Sequence, residues 1–230
     1  MMAETKQKYT CQYCKKQFIR ENSLLVHLCE QKKRYQNQHE PAVKIGFQAY
    51  QKFYQISQGG RSLKDYDHFS KSSYYRAFVK FGRYAISIKA INVMRFAEWL
   101  IVNNKKLDYW CKDSEYNKFL LEYTQKENVA DALERAVNLA VKWNESTGNP
   151  LEDYLRYGNS NILCHEIANG KISAWVLYNC ASGNEFLTRI TPDQLKMIWD
   201  WIDADSWSKR FAKHSEDVAY CKKILKQLGW

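Results

Sequence analysis

The chain has 230 residues, 45% of them hydrophobic and 15% aromatic, so it can bury a full core and is not a disordered tail. Its formal net charge is +10, and the excess lies in the first half: +4 over residues 1–40, +8 over 41–110 and −2 over 111–230. Seven cysteines, an odd number, fit a reducing cytoplasm better than a disulfide framework, and with no run of eighteen apolar residues neither a signal peptide nor a membrane span is expected.

The first element is a finger. Cys11 and Cys14 are separated by two residues, and His27 follows Cys14 after twelve more. Tyr9, Phe18 and Leu24 occupy the apolar places of a short ββα unit. Two thiolates from a hairpin knuckle and an imidazole from a helix would meet on one Zn2+, which supplies the stability so small a core lacks. A two-Cys, two-His finger would place a second His at 31–33, where Gln31, Lys32 and Lys33 stand instead. Three residues compete for the fourth ligand. Cys29 ranks first by proximity and softness, then His39, then Glu30. On a continuous helix Cys29 would stand about 200° round from His27, so it reaches the metal only if the helix loosens after His27. The expected ligand set is Cys11, Cys14, His27 and Cys29. The helix register makes Arg20, Ser23 and Val26 the base-reading places, where Arg often pairs with a guanine edge. One finger covers about three base pairs, so it serves as an auxiliary DNA contact or as a protein-binding knob. The tract 31–40, QKKRYQNQHE, reads as a linker or as the solvated end of the finger helix.

From residue 41 helical periodicity dominates, and only 9 Gly and 3 Pro argue against a sandwich or barrel. Bases and aromatics interleave over 41–110: Lys44, Lys52, Arg61, Lys64, then Tyr74-Tyr75-Arg76-Ala77-Phe78-Val79-Lys80-Phe81-Gly82-Arg83-Tyr84, and Lys89. On a helix Arg76, Lys80 and Arg83 share one face, with Ala77, Phe81 and Tyr84 on the next. Residues 68–97 contain no acid. A basic side of this kind suits a phosphate backbone, and most of the aromatics are read as core. Gly59-Gly60 marks a helix–helix break. A boundary falls over Leu107–Glu115, where basic residues give way to acidic ones.

The remainder, 111–230, reads as a helical domain for protein partners. Val129, Ala132, Leu133, Ala136, Val137, Ala140 and Val141 follow a 3.6-residue period. Asn149-Pro150 and Thr191-Pro192 read as capped, Pro-initiated helix starts, Gly170 and Gly183 as helix stops, and Ser173 as the cap of a short apolar helix. Trp175, Trp199 and Trp201 read as core. No Gly-rich phosphate loop is present, Cys164 and His165 are adjacent and so diverge on a helix, and Asp200, Asp203 and Asp205 read as capping residues; no catalytic residue is expected. The expected fold is mainly α: a ββα-type zinc finger with linker (1–40), then a two-part all-helical body (41–110 and 111–230).

From about Val43 onward the layout resembles the replicative helicase loaders, or helicase assembly proteins, of T4-type phages. GFQAYQKFYQ at 46–55, YYRAFVKFGRY followed by INVMRFAEWLIVNN, then FLLEY, NPLEDYLRY and ISAWVLYNC carry the resemblance. It implies an N-terminal domain similar to an HMG box, binding of forked DNA coated by single-strand-binding protein, and placement of a hexameric replicative helicase, in the cytoplasm of a bacterial host. It implies no enzymatic activity. The finger departs from that family's pattern. A zinc-finger transcriptional or host-takeover regulator, reading duplex sequence through Arg20, is the competing expectation.

Overall fold

The computed structural model describes residues 8–59 and 63–230, which form two compact units, one ending at Glu115 and one beginning at Tyr116. The protein is mainly helical, with one two-stranded sheet among the described residues. None of the described helices is long and apolar enough to cross a membrane.

The first unit opens with β1 (Tyr9–Thr10) and β2 (Gln17–Phe18), paired antiparallel with Tyr9 opposite Phe18 and Thr10 opposite Gln17. Two short helices follow, α1 (Glu21–Leu25) and α2 (Glu30–Gln36). The expected continuous finger helix is therefore broken. The chain leaves α1 at Val26 and restarts at Glu30, with Cys29 in extended backbone as the N-cap, its sulfur accepting the Lys32 amide at 3.4 Å. Most of the tract read as a linker is thus α2 and a 3-10 turn over Asn37–His39. It is packed rather than free: Arg34 donates to the carbonyls of Ser70 and Ser72, and the Tyr66 hydroxyl donates to the Arg34 carbonyl.

The basic half is built from α3 (Pro41–Ser57), α4 (Tyr66–Lys71), α5 (Tyr75–Ser87) and α6 (Val93–Val102). Helices α3 and α5 cross with their backbones nearly touching. A Cβ on Gly82 would lie 2.0 Å from the Ala42 carbonyl oxygen, and one on Gly46 would lie 2.7 Å from that of Phe78. Only glycine permits this approach. The buried face of α5 runs through Tyr75, Phe78, Val79, Phe81, Gly82 and Ala85, whereas Ala77 and Tyr84 sit at its edge. Trp110 closes this core against Phe53, Phe78 and Phe81, and its indole donates to the Lys105 carbonyl at 3.0 Å. With the apolar side of α5 committed inward, Arg76, Lys80 and Arg83 are left exposed together.

Helix α7 (Asp113–Lys126) contains the division between the units. The second unit continues with α8 (Val129–Thr147), α9 (Tyr154–Tyr157), α10 (Ser160–Ala168), α11 (Ala174–Leu177), α12 (Ala181–Arg189), α13 (Pro192–Ile202), α14 (Ala204–Lys213) and α15 (Ser215–Gln227). The periodic face of α8 is buried at Val129, Ala132, Leu133, Ala136 and Ala140, as its 3.6-residue repeat requires. Ser173 caps α11, and Thr191 with Gln194 forms a reciprocal capping box at the start of α13. Trp175 lies fully buried, its ring 5.1 Å from Phe211 and 5.9 Å from Trp207. Glu127, buried beside Arg135 at 2.5 Å, has its carboxyl pushed up by burial despite that guanidinium.

Three local expectations differ from the structure. Pro150 does not start an α-helix: it flanks a 3-10 turn at Leu151–Asp153. Gly183 is not a helix stop but lies inside α12, where a Cβ would meet the Leu177 carbonyl oxygen at 2.4 Å. Trp199 is not core; it is 51% exposed, because α13 buries Ile198 and Ile202 instead.

Candidate functional site

Among the described residues, one group of His, Cys, Asp or Glu ligands converges closely enough to hold an ion: Cys11, Cys14, His27 and Cys29. Their ligand atoms all lie within 4.8 Å of one another. Cys14 Sγ is 3.2 Å from His27 Nε2, and the sulfurs of Cys11 and Cys29 are 4.0 Å apart. A tetrahedral ion with bonds of about 2.0–2.3 Å separates its ligand atoms by roughly 3.5–3.8 Å, which these distances bracket. Three sulfurs and one imidazole suit a borderline-soft divalent ion.

Each ligand has a local cause. Cys11 and Cys14 lie on the β1–β2 turn, closed by the Cys11 amide donating to the Lys16 carbonyl and the Lys15 amide to the Cys11 carbonyl, both 2.9 Å. Lys15 takes the left-handed conformation, φ 62°, that closes this turn. The Phe18 ring packs 4.8 Å from that of His27 and orients it. The break after α1 supplies Cys29, because the helix ends at Val26 and Cys29 takes extended backbone that lets its sulfur meet the knuckle. His39 and Glu30 stand outside the cluster, and the Glu30 carboxylate is taken by Arg34 and Arg76.

The electrostatics of the cluster suit a cation. The Cys14 amide donates to the Cys11 sulfur and holds that thiol below its usual range, against the effect of burial. The Lys16 amide favours the Cys14 thiolate, but burial and the sulfurs of Cys11 and Cys29 outweigh it and push Cys14 up. Several thiolates this close cannot all ionise without a positive charge among them. Packing gives little help. Of the described residues up to Glu40, only Cys11 is buried.

A second feature adjoins the first within the same unit. Between α2 and α5 lies an open groove of about 450 Å3 whose cations are Lys33, Arg34, Arg76, Lys80 and Arg83, with Glu30 and Glu40 as its acids. Arg34 is fixed, its guanidinium 4.6 Å over the Tyr75 ring, whereas the side chains of Lys33, Lys80 and Arg83 make no ion pair among the described residues.

The other residues expected to touch DNA are dispersed. Arg20 precedes α1 and Ser23 lies on it, both exposed. Around them Ile19, Leu25 and Val26 are 74%, 67% and 81% exposed, so apolar side chains flank these two polar ones. Lys44 is exposed on α3, Lys52 is paired with Glu98 at 3.7 Å, and Lys64 lies over the Tyr54 ring. Lys89, φ 50°, sits exposed just past the C-terminus of α5. Arg61 lies outside the described residues. Sequence reasoning missed Glu30, Lys33 and Arg34 as groove residues. The missing signal was the start of α2, since Cys is not among the residues that usually mark an N-cap.

No protein-family model, curated protein or solved structure matches the chain.

Proposed function

We propose that the protein is a non-enzymatic DNA-replication accessory protein that holds Zn2+ on Cys11, Cys14, His27 and Cys29 and binds DNA with the basic face of its first unit. On this reading it binds forked or single-strand-binding-protein-coated DNA and delivers a replicative helicase. The observation that carries DNA binding is the groove between α2 and α5, in which three cations without an ion pair among the described residues stand on a rim of five. Cations so placed neutralise phosphates and release counterions. The loader role and its partners rest on the resemblance from about Val43 onward, with which the strongly basic first half agrees. Zinc supplies stability rather than chemistry here. With four protein ligands the ion has no open position for a substrate.

The test is unwinding of a coated fork by the cognate helicase, with and without the protein, alongside its affinity for fork, single strand and duplex. Strong stimulation and fork preference are expected. Charge reversal at Lys80 and Arg83 together is expected to weaken binding and to reduce the salt slope by roughly 2, one for each phosphate no longer neutralised. An unchanged slope would place the DNA elsewhere. The regulator reading is favoured by Arg20 and Ser23 standing exposed at base-reading places. It predicts tight binding to one duplex sequence and no stimulation of the helicase.

A further inference from the structure

Glu30 is the first residue of α2 and lies forty-six positions before Arg76. One of its oxygens, Oε1, receives three donors: Arg34 Nη2 at 2.6 Å, Arg76 Nε at 3.1 Å and Arg76 Nη2 at 2.8 Å. Two guanidiniums closing on one oxygen, Arg76 through its Nε–Nη2 fork and Arg34 through Nη2 alone, give the donor pattern that a phosphate oxygen takes in charge-assisted recognition. The two arginines pull the Glu30 carboxyl below its ordinary range. We propose that this is a phosphate-binding site held closed by an internal counter-ion, so that a backbone phosphate of nucleic acid enters the groove by displacing Glu30 from Arg76. The proposal rests on the DNA-binding reading above and names the contact that reading would use first.

Three observations support exchange over a fixed clip. First, the pair is exposed, with the Arg76 side chain at 79% and that of Glu30 at 48%, so solvent screens it and little holds it shut. Second, Arg34 keeps its place without Glu30. It is 15% exposed, bonded to the Ser70 and Ser72 carbonyls and seated on Tyr75, so it remains a preformed donor when the carboxylate swings away. The same bonds, with Tyr66 on the Arg34 carbonyl and the Tyr13–Tyr35 ring contact at 5.3 Å, keep α2 docked. Third, the groove continues along α5 to Lys80 and Arg83 and across to Lys33, cations that Glu30 does not reach. An incoming strand would therefore gain contacts the carboxylate cannot offer.

The experiment uses the zinc-loaded full chain, with metal content and melting temperature checked for each variant, and titrates labelled forked DNA over a salt series. The variants are Glu30→Gln, Arg76→Gln, the two combined, and Glu40→Gln as a charge-matched control on the same groove. Glu30→Gln is expected to bind several-fold more tightly than wild type at low salt, with a slope steeper by roughly one counterion. Arg76→Gln is expected to bind more weakly, and in its presence Glu30→Gln is expected to add clearly less than it does in the wild type, since only Arg34 is then left to release. Equal or weaker binding by Glu30→Gln, or an equal gain from Glu40→Gln, overturns the proposal while leaving DNA binding intact. Failure of the wild-type protein to bind any DNA overturns the DNA reading and the proposal together.

Discussion

Cys29 does two things at once, and a pair of substitutions separates them. Its sulfur is the fourth member of the Cys/His cluster, and it caps α2 by accepting the Lys32 amide. Cys29→Ser keeps a good capping side chain but removes the soft ligand; Cys29→Ala removes both. Apparent binding of structural zinc is about 10–16 kcal/mol, so one ligand of four is worth roughly 3 kcal/mol, an affinity loss on the order of 10²-fold. Cys29→Ala should lose about 1 kcal/mol more through the cap. Because Cys11 alone is buried among the described residues up to Glu40, apolar packing cannot replace what a bound ion would contribute. The assay is competition for zinc against a chromogenic chelator, with Cys14→Ala as the reference for a ligand that caps nothing. Cys29→Ser is expected to match Cys14→Ala, and Cys29→Ala to fall below both and to lose helical signal. Full zinc affinity in both Cys29 variants, with loss in Cys14→Ala, would refute the assignment and return the fourth ligand to His39 or Glu30.

Two further outcomes follow from backbone geometry. Gly82→Ala should destabilise the first unit by about 1–3 kcal/mol in chemical denaturation, because a Cβ 2.0 Å from the Ala42 carbonyl forces α3 and α5 apart and outweighs the helix propensity alanine gains. An unchanged midpoint would show that the two helices do not pack this closely. Lys15→Gly should stabilise the knuckle by up to about 1 kcal/mol, since lysine holds a left-handed conformation there that glycine adopts without cost. Slower zinc release to chelator is the expected readout, and faster release would count against that turn.

What the residues alone determined is local. The spacing of Cys11, Cys14 and His27 follows from how far a knuckle and a short helix reach, and the buried face of α8 follows from its 3.6-residue period. The caps at Ser173 and Thr191 are bonds between residues two or three apart, so they too are legible in order along the chain. The rest depended on which surfaces meet. Cys29 joins the cluster of Cys11, Cys14 and His27 because the chain breaks after α1 and α2 docks on the Ser70 and Ser72 carbonyls through Arg34. Gly183 reads as a stop until Leu177 is seen against it, and Trp199 reads as core until α13 is seen to bury Ile198 and Ile202. A helix period shows that some face is apolar but not how much of it the neighbouring helices cover. The basic face was visible in the composition of residues 68–97, but its counter-ion was not. Glu30 reaches Arg76 from forty-six residues away, and only the docking of α2 through Arg34 on Ser70, Ser72 and Tyr75 brings that carboxylate to the guanidinium.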